Sequence, residues 1–143
     1  MTPTVRELRL VYSSKRVHPL PQINAPGVAA QIAIARLERE PVEVCMALLL
    51  NTKHRLIGVH ELGRGTLDGC LVHPREVFKA AVLANAAGLV IAHNHPSGDV
   101  DPSPEDVSLC ARLRNAADII GIELVDFLIV GNGCYYSFRE AGR

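Results

Sequence analysis

Tryptophan is absent from the 143-residue chain, and aromatic residues make up only 4% of it. Any core must therefore be aliphatic, and a hydrophobic content of 48% is enough to build one in a single soluble domain rather than a disordered tail. An excess of charge of either sign is also missing. Lys and Arg number 15, Asp and Glu number 15, and the net charge is zero. That argues against a strong nonspecific grip on nucleic acid, which needs a basic surface. Only local candidates remain, Lys53, Arg55, Arg112 and Arg114, so weak DNA association is the most that is expected. The cysteines, Cys45, Cys70, Cys110 and Cys134, form no C-x-x-C pair, which argues against a zinc ribbon. They read as reduced core thiols of a cytoplasmic protein. No apolar run reaches the length of a membrane span and no signal peptide precedes the domain, so no membrane association is expected.

What the chain does have is concentrated between Leu89 and Asp106, LVIAHNHPSGDVDPSPED. The apolar run Leu89 to Ala92 reads as a buried strand that delivers His93 and His95. Alternate residues of an extended chain point to one face, so both imidazoles can converge on one ion. Pro96, Gly98, Pro102 and Pro104 then break regular structure, and Ser103-Pro104-Glu105-Asp106 reads as a helix start. Asp106 on the first turn could face back toward the histidines. Two histidines, a carboxylate and a position left for water make the donor set of a catalytic zinc site. Each part also has a plainer reading. Ser103-x-x-Asp106 is a variant capping box, and the histidines could be loop residues bonded to backbone.

Along the chain, residues 7 to 13 alternate enough for a short strand, and Lys15 to Pro26 reads as a connector. This gives an N-terminal piece, residues 1–27, ahead of a main domain, residues 28–143. A helix is expected from about Val28 to Arg39, ended by Pro41, then a central strand over Val42 to Leu50 and a hairpin return from Arg55 to Leu62. Glu43 is a carboxylate at the start of an otherwise apolar strand: either the strand end is exposed, or the residue has a partner or a job. Glu61 on the return strand is its rival. Gly63 to Leu67 reads as a loop before a short extended piece, and His73-Pro74-Arg75-Glu76 opens a helix, with His73 near its N-cap; His73 as a third metal ligand is the weaker reading. His18, His54 and His60 read as surface or connector residues. A helix from Asp106 to Ile120 ends at Gly121, a strand runs over Glu123 to Val130, and Cys134 to Phe138 forms the last strand. Helices alternating with strands indicate an α/β domain with a mixed β-sheet flanked by helices.

His93-Asn94-His95-Pro96, six residues, then Ser103-Pro104-Glu105-Asp106 resembles the JAMM (JAB/MPN) metalloprotease signature, H-x-H-P-x6-S-x-x-D. The fuller string HNHPSGD followed by PSPED resembles the RadC-like branch of that superfamily. Gly65-Thr66-Leu67, His73-Pro74-Arg75-Glu76, Asn85-Ala86 and Gly133 to Phe138 add to the likeness, which covers roughly residues 28 to 143. The resemblance implies a JAMM/MPN fold, similar to that of cytidine deaminase. Deaminase chemistry itself is not implied, because H-x-E and P-C-x-x-C are missing. It also implies a zinc metallopeptidase or isopeptidase: Zn2+ on His93, His95 and Asp106, Glu43 as general base, Ser103 as a donor to the oxyanion, and a protein or peptide substrate. Asn94, Ser97 and Asp99 read first as turn-formers that could support the ligands. The alternative is a DNA-repair-associated module of the RadC type, binding or acting on nucleic acid, with the metal structural or directed at phosphodiesters. Two departures from fuller RadC proteins stand out. There is no room for their N-terminal helix-hairpin-helix region, and Asp126-Phe127 stands where many relatives have Asp-His.

Overall fold

Two apolar runs fix the centre of the domain. In the computed structural model, which describes residues 1–65 and 72–143, β1 (Val44–Leu50) and β3 (Gly88–Asn94) are buried along their whole length. Strands covered on both faces carry no polar alternation, which is why these segments read as unbroken apolar runs. Around them lie β2 (Leu56–Arg64), β4 (Glu123–Gly131) and β5 (Cys134–Ser137), in a five-stranded sheet ordered β2-β1-β3-β4-β5. All neighbours are antiparallel except β3 and β4, which are parallel and joined through a helix.

Side chains alternate between two cores. Met46, Leu48, Leu50, Val90, Ala92 and Leu128 pack with α1 (Pro26–Leu37) on one face of the sheet. Ala47, Leu49, Leu89, Ile91, Phe127 and Ile129 pack with α2 (Pro74–Leu83) and α3 (Pro104–Ile120) on the other. The three helices open with proline in the first turn, where its missing N–H costs nothing. His73 is the N-cap of α2, its Nδ1 accepting from the Arg75 N–H. Gly121 ends α3 with φ of 81°, a conformation that suits glycine. The fold is thus a mixed-sheet α/β domain, consistent with the JAB/MPN fold.

Some expectations need correction. Residues 7–13 form no strand. They are exposed and form no ladder among the described residues, and alternation that neither buries a face nor pairs with a sheet edge does not make a strand. Of the cysteines, Cys45 and Cys110 are buried, but Cys134 is exposed at the start of β5 and is no core thiol. Cys70 and the extended piece expected after Gly65 lie outside the described residues.

The loop after β3 is held by a close backbone contact. The His95 N–H donates to the Val130 carbonyl at 2.9 Å, carrying the chain out of the sheet beside β4. There Gly98 meets Gly131 so closely that a Cβ on Gly131 would lie 3.0 Å from the Gly98 Cα. Gly131→Ala must therefore push this loop away. The expected result is a loss of roughly 1–3 kcal/mol of stability and weaker metal retention, checked by denaturant unfolding and elemental analysis.

Candidate metal centre

His93 and His95 leave the end of β3 on the face covered by α3, the same face as Leu89 and Ile91. Asp106 comes from the first turn of α3, where Ser103 is the N-cap. The capping box is real: Ser103 Oγ accepts from the Asp106 N–H at 3.1 Å, and Asp106 Oδ2 accepts from the Ser103 N–H at 2.8 Å. It competes with no ligand role, because it fixes the carboxylate where it also meets both rings. Asp106 Oδ1 is 3.1 Å from His93 Nε2, and Oδ2 is 3.1 Å from His95 Nε2. Glu43, just ahead of β1, places Oε1 2.6 Å from His93 Nδ1 and 4.0 Å from His95 Nε2. One ligand atom from each of Glu43, His93, His95 and Asp106 lies within 4.8 Å of the others.

The hydrogen bonds fix which ring nitrogen is available. His95 Nδ1 lies 2.7 Å from the Asp99 carbonyl oxygen. A carbonyl only accepts, so Nδ1 carries a hydrogen, and in the neutral ring Nε2 keeps its lone pair. His93 Nδ1 faces the Glu43 carboxylate in the same way. With the ring neutral, as metal binding requires, His93 Nε2 is a buried lone pair 3.1 Å from Asp106 Oδ1 and has no hydrogen-bond partner among the described residues. A buried polar atom without a hydrogen bond needs an explanation. A metal ion supplies one: ligand atoms at about 2.0–2.1 Å in a tetrahedron are spaced about 3.4 Å apart, near the 3.1 Å between each Asp106 oxygen and its histidine Nε2.

The other candidates are not brought in. Glu61 pairs with Arg64 at 2.8 Å on β2, and His73 is spent on its cap. Arg55 donates to the Leu20 carbonyl, and Arg114 to the Arg143 carbonyl. Asp126 and Phe127 stand where the resemblance to RadC-like proteins implies Asp-His, and of the two it is Phe127 that meets the cluster. Phe127 is buried and packs edge-on against His93, ring centroids 5.4 Å apart. Asp126, buried on β4, accepts from Ser137 Oγ at 2.6 Å and from the N–H groups of Phe127 and Arg139, which secures β5 and the chain beyond it.

Charge is shared tightly. Burial pulls the His93 pKa down, but the carboxylates of Asp106 and Glu43 outweigh burial and raise it from 6.5 to about 9. For Asp106, burial pushes the pKa up, but the two imidazoles beside it hold it well below the usual carboxylate range. Asp106, the largest influence on His95, raises that pKa too. In the metal-free chain, His93 therefore contributes stability that is complete below 6.5 and lost as pH rises through about 9. The Asp106 contribution is present above 3.8 and lost as pH falls below it. The cluster should steady the metal-free fold most between those limits. Since His93 must be neutral to bind a metal, metal uptake at neutral pH should release a proton, and affinity should rise with pH up to about 9. An indicator-dye titration at several pH values checks both.

A buried cluster of histidines and carboxylates at the end of a parallel strand pair, in a mixed-sheet α/β domain, defines a JAB-type domain with a candidate metal centre. A model of the RadC-like JAB domain matches residues 23–143, and the chain belongs to that family. It is 45% identical over 134 residues to a UPF0758 protein of Shouchella clausii, covering 94% of this chain and 57% of that one. It is 50% identical over 98 residues to a UPF0758 protein of Clostridioides difficile, covering 68% of this chain and 42% of that one. A UPF0758 protein of Xylella fastidiosa is 44% identical over 120 residues, 84% of this chain and 54% of that one. The chain thus spans about half the length of the curated relatives it matches. Among the described residues, no helix is long and apolar enough to cross a membrane.

His93→Ala or Asp106→Ala should each abolish metal binding, while His73→Ala should leave it intact. Elemental analysis of the purified variants decides it, and full retention in both of the first two would remove the site.

Proposed function

We propose that this domain is a zinc-dependent hydrolase that cleaves peptide or isopeptide amide bonds. The observation that carries this reading is the pair of fixed tautomers. Both histidines turn Nε2 toward Asp106 because their Nδ1 positions are taken by Glu43 and the Asp99 carbonyl. Imidazole nitrogens with one carboxylate are a donor set that suits zinc. His93, His95 and Asp106 would hold the ion, leaving a position open. Bound there, zinc would act as a Lewis acid, lowering the pKa of water to about 7 and polarising the substrate carbonyl.

The chain's own groups supply the rest. Glu43 borders the cluster without belonging to the histidine–aspartate set, and a carboxylate bonded through one oxygen can take a proton on the other. It would accept a proton from water and return it to the leaving amine, so that amide and water become carboxylic acid and amine. Ser103 accepts from the Asp106 N–H, which leaves its own hydroxyl hydrogen to donate to the oxyanion, a contact worth roughly 3 kcal/mol. The Asp106 cap and the Glu43 bond to His93 keep these groups in place before substrate arrives.

Glu43→Gln should keep zinc and the fold but lower cleavage of fluorogenic peptide and lysine-ε-linked isopeptide libraries by about 100-fold or more, the usual weight of a general base. Glu61→Gln should leave cleavage unchanged. Unchanged turnover in the Glu43 variant would sink the assignment.

A further inference from the structure

We propose that Asn94, between the two histidines, is a positioning residue for Glu43 and acts through the backbone on both sides of it. Glu43 lies one residue ahead of β1, outside the regular ladder. The ladder between β1 and β3 ends at the pair Cys45 and His93. Beyond that pair β3 turns toward β4, since the His95 N–H donates to the Val130 carbonyl. The Asn94 carboxamide replaces the missing rung. Its Oδ1 accepts from the Val44 N–H at 2.7 Å, and its Nδ2 donates to the Val42 carbonyl at 3.0 Å. From the other side, the Gly65 N–H donates to the Glu43 carbonyl at 2.7 Å. The three residues centred on Glu43 are clamped from both flanks, and the carboxylate is thereby held 2.6 Å from His93 Nδ1.

The residue type follows from the task. The position needs an acceptor and a donor in one short planar group. Aspartate could accept from Val44 but would set a carboxylate against the Val42 carbonyl, and glutamine is a methylene too long. Asn94 is only 2% exposed. By strand alternation it leaves the backbone on the opposite face from His93, so it does not share the metal-facing side. The tripeptide His93-Asn94-His95 thus reads as ligand, clamp, ligand, and one strand end fixes the metal-facing rings and the neighbouring carboxylate together. The proton-accepting role of Glu43 rests on the function proposed above, whereas its attachment through Asn94 does not.

The test uses the full 15N-labelled chain with zinc and needs no substrate. The His93 Nδ1–H, bonded to Glu43, should give a protected ring N–H resonance, assigned by its loss in Glu43→Ala. In Asn94→Ala that resonance should be lost, and the Val44 amide should exchange roughly tenfold faster, the equivalent of one lost hydrogen bond. Zinc content should be unchanged, because His93, His95 and Asp106 are untouched. The amide of Leu48, deep in β1, should keep its protection; a merely structural role for Asn94 would loosen it too. Persistence of the His93 resonance in Asn94→Ala overturns the proposal. Should that variant fail to fold, Asn94→Asp keeps the bond to Val44 and loses only the donor to Val42. There the resonance should vanish while the Val44 amide stays protected, and its persistence is again fatal. A lost resonance in a chain whose cleavage ignores Glu43→Gln would support the clamp and retire the proton-acceptor reading.

Discussion

A histidine that is 5% exposed inside a protein must be satisfied at both ring nitrogens or left in an unfavourable state. Most of the site depends on how His93 meets that demand. Its Nδ1 requires an acceptor, which brings in the carboxylate ahead of β1. Its Nε2, in the neutral ring, faces Asp106 with no hydrogen-bond partner among the described residues. Neither neighbour could be placed by itself. Asp106 is held by the cap of α3, and Glu43 by backbone bonds on both flanks. The cluster is therefore the meeting point of three elements that no short stretch of sequence could bring together.

The sheet topology makes that meeting possible. β3 is the central strand, with β1 antiparallel on one side and β4 parallel on the other. A parallel pair needs a crossover, and here the crossover carries α3. Its N-terminus lies close after the end of β3, so the first turn faces back onto the strand that precedes it. The turn between His95 and Ser103 must be tight and fixed, and the approach of Gly98 to Gly131 anchors it against β4. Positioning in this domain is mostly done by backbone: the cap, the glycine contact and the Asn94 clamp each use main-chain groups to aim a side chain.

The sequence carried the site better than it carried its support. Period-two spacing put His93 and His95 on one face, and Ser103-x-x-Asp106 marked the start of α3 within a residue or two. Those signals are local, so they survive without knowledge of tertiary contacts. Glu43 was visible only as an anomaly, a carboxylate opening an apolar strand. What resolves it, a partner 50 residues away, is not a local property. Asn94 was hidden by its context, since Asn before His-Pro reads as a turn residue. The usable clue was its place between two same-face residues of a buried strand, which sends its side chain into the opposite face, where a polar group needs partners. Residues 7–13 failed for the converse reason: Leu8, Leu10 and Tyr12 alternate correctly, but a strand exists only if an edge receives it.

Phe127 bears on how protons can move here. The resemblance to RadC-like proteins implies histidine at this place in many relatives. In this chain a buried phenyl ring lies edge-on to His93, backed by Phe138 at 5.0 Å between centroids. A phenyl ring neither accepts nor donates a proton, so this side of His93 offers shape and exclusion of water but no relay. His95 Nδ1 is committed to the Asp99 carbonyl, which cannot carry a proton away. Asp106 is held ionised by the imidazoles around it. Of the groups that form the cluster, only Glu43 is both a carboxylate and partly open to solvent. In the function proposed above, the proton that water loses and the leaving group gains would pass through Glu43, which is why the backbone clamp on that residue matters more than its place at the fringe of the sheet would suggest.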